Sequence, residues 1–248
     1  MKRIILVLLC SLAFVSPVSS VELNKPFHTG DNFTINLTDD WIQIPKEVLS
    51  EFSNFISEVA PKDEKESYDY GFQLRSSNGW LTYPYILIKV KKHGRLPDGK
   101  LAKLDTLRRD NEDTAFGIDE KFHFLSVEKT ITKPIYDETN RILWQKLQLS
   151  ETGIGLVNTL LGMKLTNEGF IQFVCNSPLT ESEKYIPLFR DIILQTTLDS
   201  SISYGVDMID SLPVVSEREK RLLPSTGLIG SIIIMLLGAG AAFWKRKK

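Results

Sequence analysis

Two apolar segments at the ends of the chain limit where a folded domain can lie. The C-terminal segment, residues 228–244, carries no charge and is followed by the basic sequence "KRKK" at 245–248. As a helix rising about 1.5 Å per residue it would be about 26 Å long, slightly short of a hydrocarbon core of about 30 Å. Flanking lysine stems can make up the difference by snorkelling. The pattern predicts a transmembrane helix at 228–244 with the basic tail on the cytoplasmic side.

The N-terminal apolar segment has the layout of a secretory signal peptide. Lys2 and Arg3 form a basic head, residues 4–15 are an almost unbroken apolar run, and Ser19 and Ser20 offer small residues to signal peptidase. A buried first helix is the alternative, but no polar face interrupts the run. We therefore predict a signal peptide at 1–20, which would place the body of the protein outside the cytoplasm.

A short motif stands directly before the C-terminal apolar segment. It consists of Leu223, Pro224, Ser225, Thr226 and Gly227. Motif, apolar stretch and basic end together resemble the L-P-x-T-G sorting signal of sortase-anchored surface proteins. Pro224 biases Leu223 towards extended structure, and Gly227 has no Cβ to hinder approach to the Thr226 carbonyl. These residue types suit a peptide that is bound and cut between Thr226 and Gly227.

The resemblance implies that the chain is a substrate at this motif, not a catalyst. In the family, a sortase cysteine attacks the threonine carbonyl and passes the acyl group to a cell-wall amine. The implied partners are sortase, the wall amine acceptor and, through 228–244, the membrane. A permanent single-span anchor with a silent "LPSTG" is the alternative. A lipid-anchor signal of the GPI type normally ends in apolar residues, so the basic end argues against one.

The basic ends conceal the charge of the exported part. The chain has 30 basic and 31 acidic residues, and the basic residues at 2–3 and 245–248 lie outside the predicted exported domain. Without those six, 24 basic residues remain against all 31 acidic ones, a net charge of about −7. Nucleic acid requires a concentrated basic face, so we predict no nucleic-acid partner. The length predicts one exported domain at 21–199, followed by a stem at 200–222.

Hydrophobic periodicity predicts an α+β domain. The period of 3.6 predicts helices from Pro45 to about 60, at 101–113 and at 179–198, the last with a capping box of Thr180 and Glu183. Short turns, Asn78-Gly79 among them, predict antiparallel pairing of neighbouring strands. We expect one antiparallel sheet of about six strands packed with two to three helices. The period of two predicts strands at 32–38, 68–75, 83–92, 121–133, 141–150, 155–166 and 169–176.

Two phrases of the exported part resemble the PsbP-like family. They are "DDWIQIP" at 39–45, after the first predicted strand, and "ESEKYIPLFRDIILQTTL" at 181–198, in the closing helix. The order of predicted elements over about 30–199 is similar to that of this family, which includes the extrinsic photosystem subunit and many exported bacterial proteins. The resemblance implies an α/β/α sandwich and a non-enzymatic binding or assembly-assisting role.

Patterns that support catalysis or metal binding are sparse. His28, His93 and His123 fall on different predicted elements, without HxH or HxxxH spacing. The acidic stretch at 108–120 fails the calcium-loop pattern, because Ala115 stands where glycine is required. We predict no catalytic residue, no cofactor and no metal site.

Cys175 is the one cysteine that remains after removal of the predicted signal peptide. It shares an alternating face with Ile171 and Phe173, so we predict a buried, unreactive thiol. A catalytic nucleophile is the alternative, and it would need a histidine nearby.

These patterns favour an exported, non-enzymatic binding or scaffold module that is tethered to the cell wall by sortase at Thr226. The second hypothesis is an exported enzyme whose site is assembled from scattered residues. A cleft with convergent, perturbed titratable groups would support it. The third is a membrane-tethered subunit of a larger assembly, which an exposed apolar patch would support.

Overall fold

The computed structural model describes residues 22–59, 67–76, 79–92, 94–95, 125–126, 135–151 and 155–205. The predicted signal peptide, sorting signal and transmembrane segment lie outside these residues, as does the helix predicted at 101–113. Most of the stem and most of the strand predicted at 121–133 also lie outside them. Within the described residues, no helix is both long and apolar enough to cross a membrane.

The described residues form eleven strands, two α-helices and a 3-10 turn. The helices are α1 (Lys46–Val59) and α2 (Ser182–Gln195). The strands are β1 (Lys25–His28), β2 (Phe33–Leu37), β3 (Trp41–Gln43), β4 (Tyr70–Leu74), β5 (Tyr85–Lys91), β6 (Leu125–Ser126), β7 (Ile135–Asp137), β8 (Ile142–Glu151), β9 (Gly155–Thr166), β10 (Gly169–Pro178) and β11 (Thr197–Leu198).

Both helices lie within the ranges that the helical period predicts, but the second is shorter than the predicted 179–198, because Thr197–Leu198 form β11, and the predicted capping box is wrong. Residues 179–181 form a 3-10 turn, so α2 begins only at Ser182, and Glu181 at its N-cap makes no side-chain cap hydrogen bond. The Ser182 hydroxyl donates instead to the Pro178 carbonyl at 3.0 Å. The turn therefore displaces Thr180 from the position at which it would cap the helix.

All strand pairs in the described residues are antiparallel, which confirms the α+β class with antiparallel sheets. The main sheet has eight strands in the order β3-β4-β5-β10-β9-β8-β6, with β7 also paired to β8. β1, β2 and β11 form a separate three-stranded sheet. The prediction of a single sheet of about six strands is therefore wrong. The strand predicted at 32–38 pairs with β1 and β11 and takes no part in the main sheet, whereas "DDWIQIP" supplies the edge strand β3.

The predicted hairpin and part of the predicted meander are present. β4 pairs antiparallel with β5, with Tyr70 opposite Ile88, as predicted, whereas Asn78 of the predicted turn lies outside the described residues. β8, β9 and β10 follow one another in the sheet. Gly169 lies opposite Thr166 across the tight turn between β9 and β10. A second turn at 138–141 joins β7 to β8, and it contributes to the site described below.

The main core lies between the main sheet, α2 and the three-stranded sheet. Ile171, Phe173 and Cys175 alternate along β10 and are all buried in it, which confirms the prediction for the position of Cys175. α2 packs closely on β9, because Gly162 has no side chain there. A Cβ at Gly162 would lie 2.9 Å from Cδ1 of Ile193. This contact fixes the end of α2 against the sheet.

α1 packs on the opposite face of the main sheet, at β4. Side chains alternate along a strand, so a Cβ at Gly71 would lie on the face opposite to the core-facing side chains of Tyr70 and Phe72. A Cβ at Gly71 would lie 2.8 Å from Cδ2 of Leu49 on α1. The two helices therefore cover opposite faces of the sheet.

Candidate functional site

The residues that the sequence singles out do not come together in the described part of the chain. Leu223–Gly227, His93 and His123 lie outside it. His28 lies at the end of β1, where its Nδ1 is 2.9 Å from Oγ1 of Thr34. Cys175 lies in the main core. Among the described residues, no group of three or more His, Cys, Asp or Glu side chains could hold a metal ion.

A cleft opens at the end of the main sheet, beside the C-terminal end of α2. Its volume is about 220 Å³. The β7–β8 turn, β9, residues 196 and 198 and residues 203–204 line it. Arg141 and Lys164 are the cationic members of this lining, and no carboxylate belongs to the lining that the structure describes. We name this site the terminal cleft.

The β7–β8 turn is fixed by its own side chains. The Asp137 carboxylate accepts from the backbone N–H of Asn140 at 3.0 Å and from its Nδ2 at 2.8 Å. These hydrogen bonds, the side-chain bond most of all, hold the pKa of Asp137 below its ordinary value. Arg141 follows in the left-handed region with φ of 55°. Its carbonyl accepts from the N–H of Leu165 on β9 at 2.9 Å, which ties the turn to the sheet.

Two guanidinium groups lie over the ring of Tyr204 at the terminal cleft. Cζ of Arg95 lies 4.4 Å from the centroid of the Tyr204 ring, and Cζ of Arg141 lies 5.6 Å from it. Nη1 of Arg141 also lies 3.5 Å from the Tyr136 hydroxyl, to which it donates. Cation–π attraction favours both arginine positions. Positive charge is therefore concentrated where the described chain ends.

Lys164 forms hydrogen bonds with the C-terminal end of α2. Its Nζ donates to the carbonyl oxygens of Thr196, Leu194 and Ile193 at 2.6, 3.3 and 3.4 Å. Those carbonyls lie at the negative end of the helix dipole, which a cation stabilises. Burial lowers the pKa of Lys164. Lys164 therefore adds charge to the terminal cleft, while its N–H groups point to the helix.

A second charged cluster connects the two sheets. Asp31, in the β1–β2 connection, accepts from the Tyr70 hydroxyl at 2.8 Å and pairs with Nζ of Lys92 at 2.9 Å. Partial burial raises the pKa of Asp31, but the hydrogen bonds from Lys92 and Tyr70 outweigh it and bring the pKa below its ordinary value. Burial and the bond to Asp31 raise the pKa of Tyr70 to about 12. The charged groups of this cluster pair with one another. We therefore interpret the cluster as a structural link between the two sheets and name it the brace.

Asp69 lies next to this brace, and its pKa is shifted in the direction opposite to that of Asp31. Burial raises its pKa, although its Oδ2 accepts from the N–H of Val90 at 2.7 Å. The perturbed pair of Asp31 and Asp69 is the one feature of the described residues that matches the enzyme hypothesis. The terminal cleft is not lined by either carboxylate. A reacting group bound there would therefore have no carboxylate from this pair in the cleft wall.

Sequence reasoning missed Arg141, Lys164 and Tyr204. The turn at Asp137–Asn140 is predictable, because Asp and Asn bond their own backbone in turns. The conformation of Arg141 is not, since left-handed residues are usually Gly, Asn or Asp. Lys164 alternates along β9 as an ordinary polar strand residue. Its role depends on α2, whose end it contacts from 29 to 32 residues away.

Comparisons with known proteins place the chain in no family. No family model matches it, and no curated protein matches it significantly. Among solved structures it is similar to cyanobacterial PsbP (CyanoP) from Synechocystis sp. PCC 6803, with a TM-score of 0.39 and 10% sequence identity. The similarity covers 70% of this chain and 91% of that one. At this TM-score the similarity assigns neither a family nor a function, and membership of the PsbP-like family stays a prediction.

Proposed function

We propose that the protein is an exported, non-enzymatic binding module that sortase attaches to the cell wall through Thr226. The observation that supports the proposal is the position of "LPSTG", between the predicted exported domain and an apolar segment with a basic end. By itself, a motif of five residues inside a long chain is weak evidence for a sorting signal. Followed at once by residues 228–244 and "KRKK", it has the complete arrangement of a sorting signal.

The bounds of the folded domain are compatible with both predicted cuts. β1 begins at Lys25, after the predicted signal peptide, and the described C-terminal part ends at Gly205. Residues 206–222 separate that end from the motif. As a flexible chain they would span about 20–25 Å. Removal of either predicted end therefore takes away no described element, and the domain would stay close to its point of attachment.

The terminal cleft is the binding site that we propose for this module. It combines a cavity of about 220 Å³ with the side chains of Arg141 and Lys164. It also lies next to Tyr204, from which the chain continues towards the motif. In a tethered protein, this end of the domain would therefore be near the attachment point.

Detergent extraction tests the attachment. In the native host we expect wild-type protein to resist detergent and to be released by a wall hydrolase. Gly227→Ala should instead be extracted by detergent, because a methyl group beside the Thr226 carbonyl hinders the attacking thiolate. Ser225→Ala is the matched control, since it changes the variable position of the motif and should behave as wild type. Equal extraction of wild type and Gly227→Ala would make the protein a permanent single-span membrane protein.

A further inference from the structure

We propose that residues 101–113 dock on the second face of the main sheet, which is the face opposite to α2, and pack their apolar side against it. These residues lie outside the described part of the chain, so the proposal names the occupant of a surface that the described residues define. It concerns an interaction within the chain and depends neither on wall attachment nor on the terminal cleft.

The middle of the second face is buried. Leu87 of β5, Val174 of β10 and Leu161 of β9 lie opposite one another across the three strands, and their exposed fractions are 1%, 0% and 2%. Their side chains point away from α2, because Phe173 and Cys175, the neighbours of Val174 along β10, belong to the main core. A layer of protein therefore lies over these three side chains.

Neither described helix lies over β10 and β9 on this face. α2 packs on the core face, and α1 lies over β4, where Leu49 faces Gly71. Strands are about 4.8 Å apart, so β10 lies about 10 Å and β9 about 14 Å from β4. A helix covers only about 5–6 Å on each side of its axis. The covering layer must come from another segment of the chain.

The sheet topology requires a long connection to cross one of the two faces. Each neighbouring pair from β5 through β10, β9 and β8 to β6 is antiparallel. These four steps make β5 and β6 parallel, and parallel strands of one sheet need a crossover connection. α2 already covers β9 and β10 on the core face. A crossover that contacts the sheet therefore runs over the second face.

The first residues of this connection already lead to the second face. The N–H of Gly94 donates to the carbonyl of Glu168, in the β9–β10 turn, at 2.9 Å. Cζ of Arg95 lies 4.4 Å from the centroid of the Tyr204 ring. Tyr204 packs against Met163, which lies two residues from Leu161 and on the same face of β9. The chain therefore leaves β5 towards β10 and β9 on the second face.

The connection has the length and the sequence for this crossing. The end of β5 is level with Leu165 of β9 and the start of β6 is level with Gly155, about 33 Å apart along the sheet. As a helix, residues 101–113 would cover about 20 Å, and the chain on either side can span the rest. Leu101, Leu104 and Leu107 lie on one side of such a helix. This apolar side matches the apolar middle of the second face.

Photo-crosslinking of the full-length protein in neutral detergent tests the contact. A diazirine amino acid is incorporated at Leu104 in one variant and at Arg109 in another, and mass spectrometry maps the crosslinked peptides. We expect the probe at Leu104 to crosslink to the second face, at Leu87, Leu161 or Val174. Arg109 lies on the opposite side of the predicted helix, so its probe should react with water and give no such crosslink. Circular dichroism checks that both variants are folded.

Urea denaturation gives a second measurement with natural residues. Leu104→Ala should lower the midpoint by about 1 M or more, because it removes a packed leucine. Arg109→Ala is the matched control and should shift it by less than about 0.3 M. The proposal is overturned if the probe at Leu104 crosslinks to α2 or to Ile171 on the core face, or if it gives no crosslink to the sheet in a folded variant. Equal midpoints for the two alanine variants would also overturn it.

Discussion

The thiol of Cys175 is enclosed in the main core, together with Ile171 and Phe173 of the same strand, and its side chain is 0% exposed. Burial raises the pKa of the thiol well above its ordinary value. The thiolate is the nucleophilic form of cysteine, so this environment suppresses reactivity. The catalytic alternative would need an opposing cation or histidine, and no described residue of that kind contributes to the shift.

We expect the thiol of Cys175 to be unreactive in the folded mature protein. A polar, membrane-impermeant thiol reagent should modify it only after denaturation, and mass spectrometry would follow the modification. The same protein in concentrated urea is the positive control, since exposure restores an ordinary thiol. Rapid stoichiometric labelling without denaturant would contradict both the burial and the structural role.

The backbone conformation of Arg141 and its contact with Tyr204 could not be predicted from the sequence. The turn before it follows from local chemistry, because Asp137 and Asn140 can bond each other at that spacing. The left-handed backbone of Arg141 is tied to β9, a separate element, by the hydrogen bond from Leu165 N–H to its carbonyl. Its contact with Tyr204 joins residues 63 positions apart. No local pattern in the sequence encodes either interaction.

At the scale of elements, the contact between α2 and β9 depends on the absence of a side chain at Gly162. The nearest atoms to a Cβ built there are Cδ1 of Ile193 at 2.9 Å, Cγ2 of Ile193 at 3.2 Å and a ring carbon of Trp144 at 3.2 Å. Ile193 is fully buried and Trp144 nearly so, which leaves them little space in which to move. Such overpacking forces side chains off their rotamers or displaces the backbone.

Gly162→Ala should therefore destabilise the protein by about 1–3 kcal/mol. Urea denaturation of the variant and of wild type measures the free energy of unfolding. Gly30→Ala is the matched control, because its added Cβ would meet only the Tyr70 hydroxyl at 3.9 Å. The control should change stability by less than about 0.5 kcal/mol. Equal effects of the two substitutions would show that α2 does not pack against β9 as described.

The elements divide into those that local periodicity encodes and those that it does not. α1, α2, the β4–β5 hairpin and the succession β8, β9, β10 all follow from repeating apolar positions and turn residues. The three-stranded sheet does not. β11 has two residues, too few for a period, and its pairing of Thr197 with Thr34 joins distant parts of the chain. The separate sheet is therefore a product of tertiary packing, and for that reason the single sheet expected from the sequence was wrong.

At the scale of the whole molecule, the sequence carries the proposal of export and attachment, and the described domain carries the proposal of binding. The brace of Asp31, Tyr70 and Lys92 connects the small sheet to the main one. The terminal cleft lies at the end from which the chain continues to the motif. The candidate cleft was not predictable from sequence, since its side chains come from four separate segments. The sorting motif, which stays a prediction, could be proposed from the sequence because its residues are contiguous.

The intact mass of protein released from the cell wall by a peptidoglycan hydrolase tests the central claim most directly. We predict a chain that begins at Val21, ends at Thr226 and carries a covalently attached wall fragment at the Thr226 carbonyl. The chain from Gly227 onwards should be missing, because sortase cuts before that residue. A protein found only in the membrane fraction, with a mass that includes residues 227–248, would contradict the account.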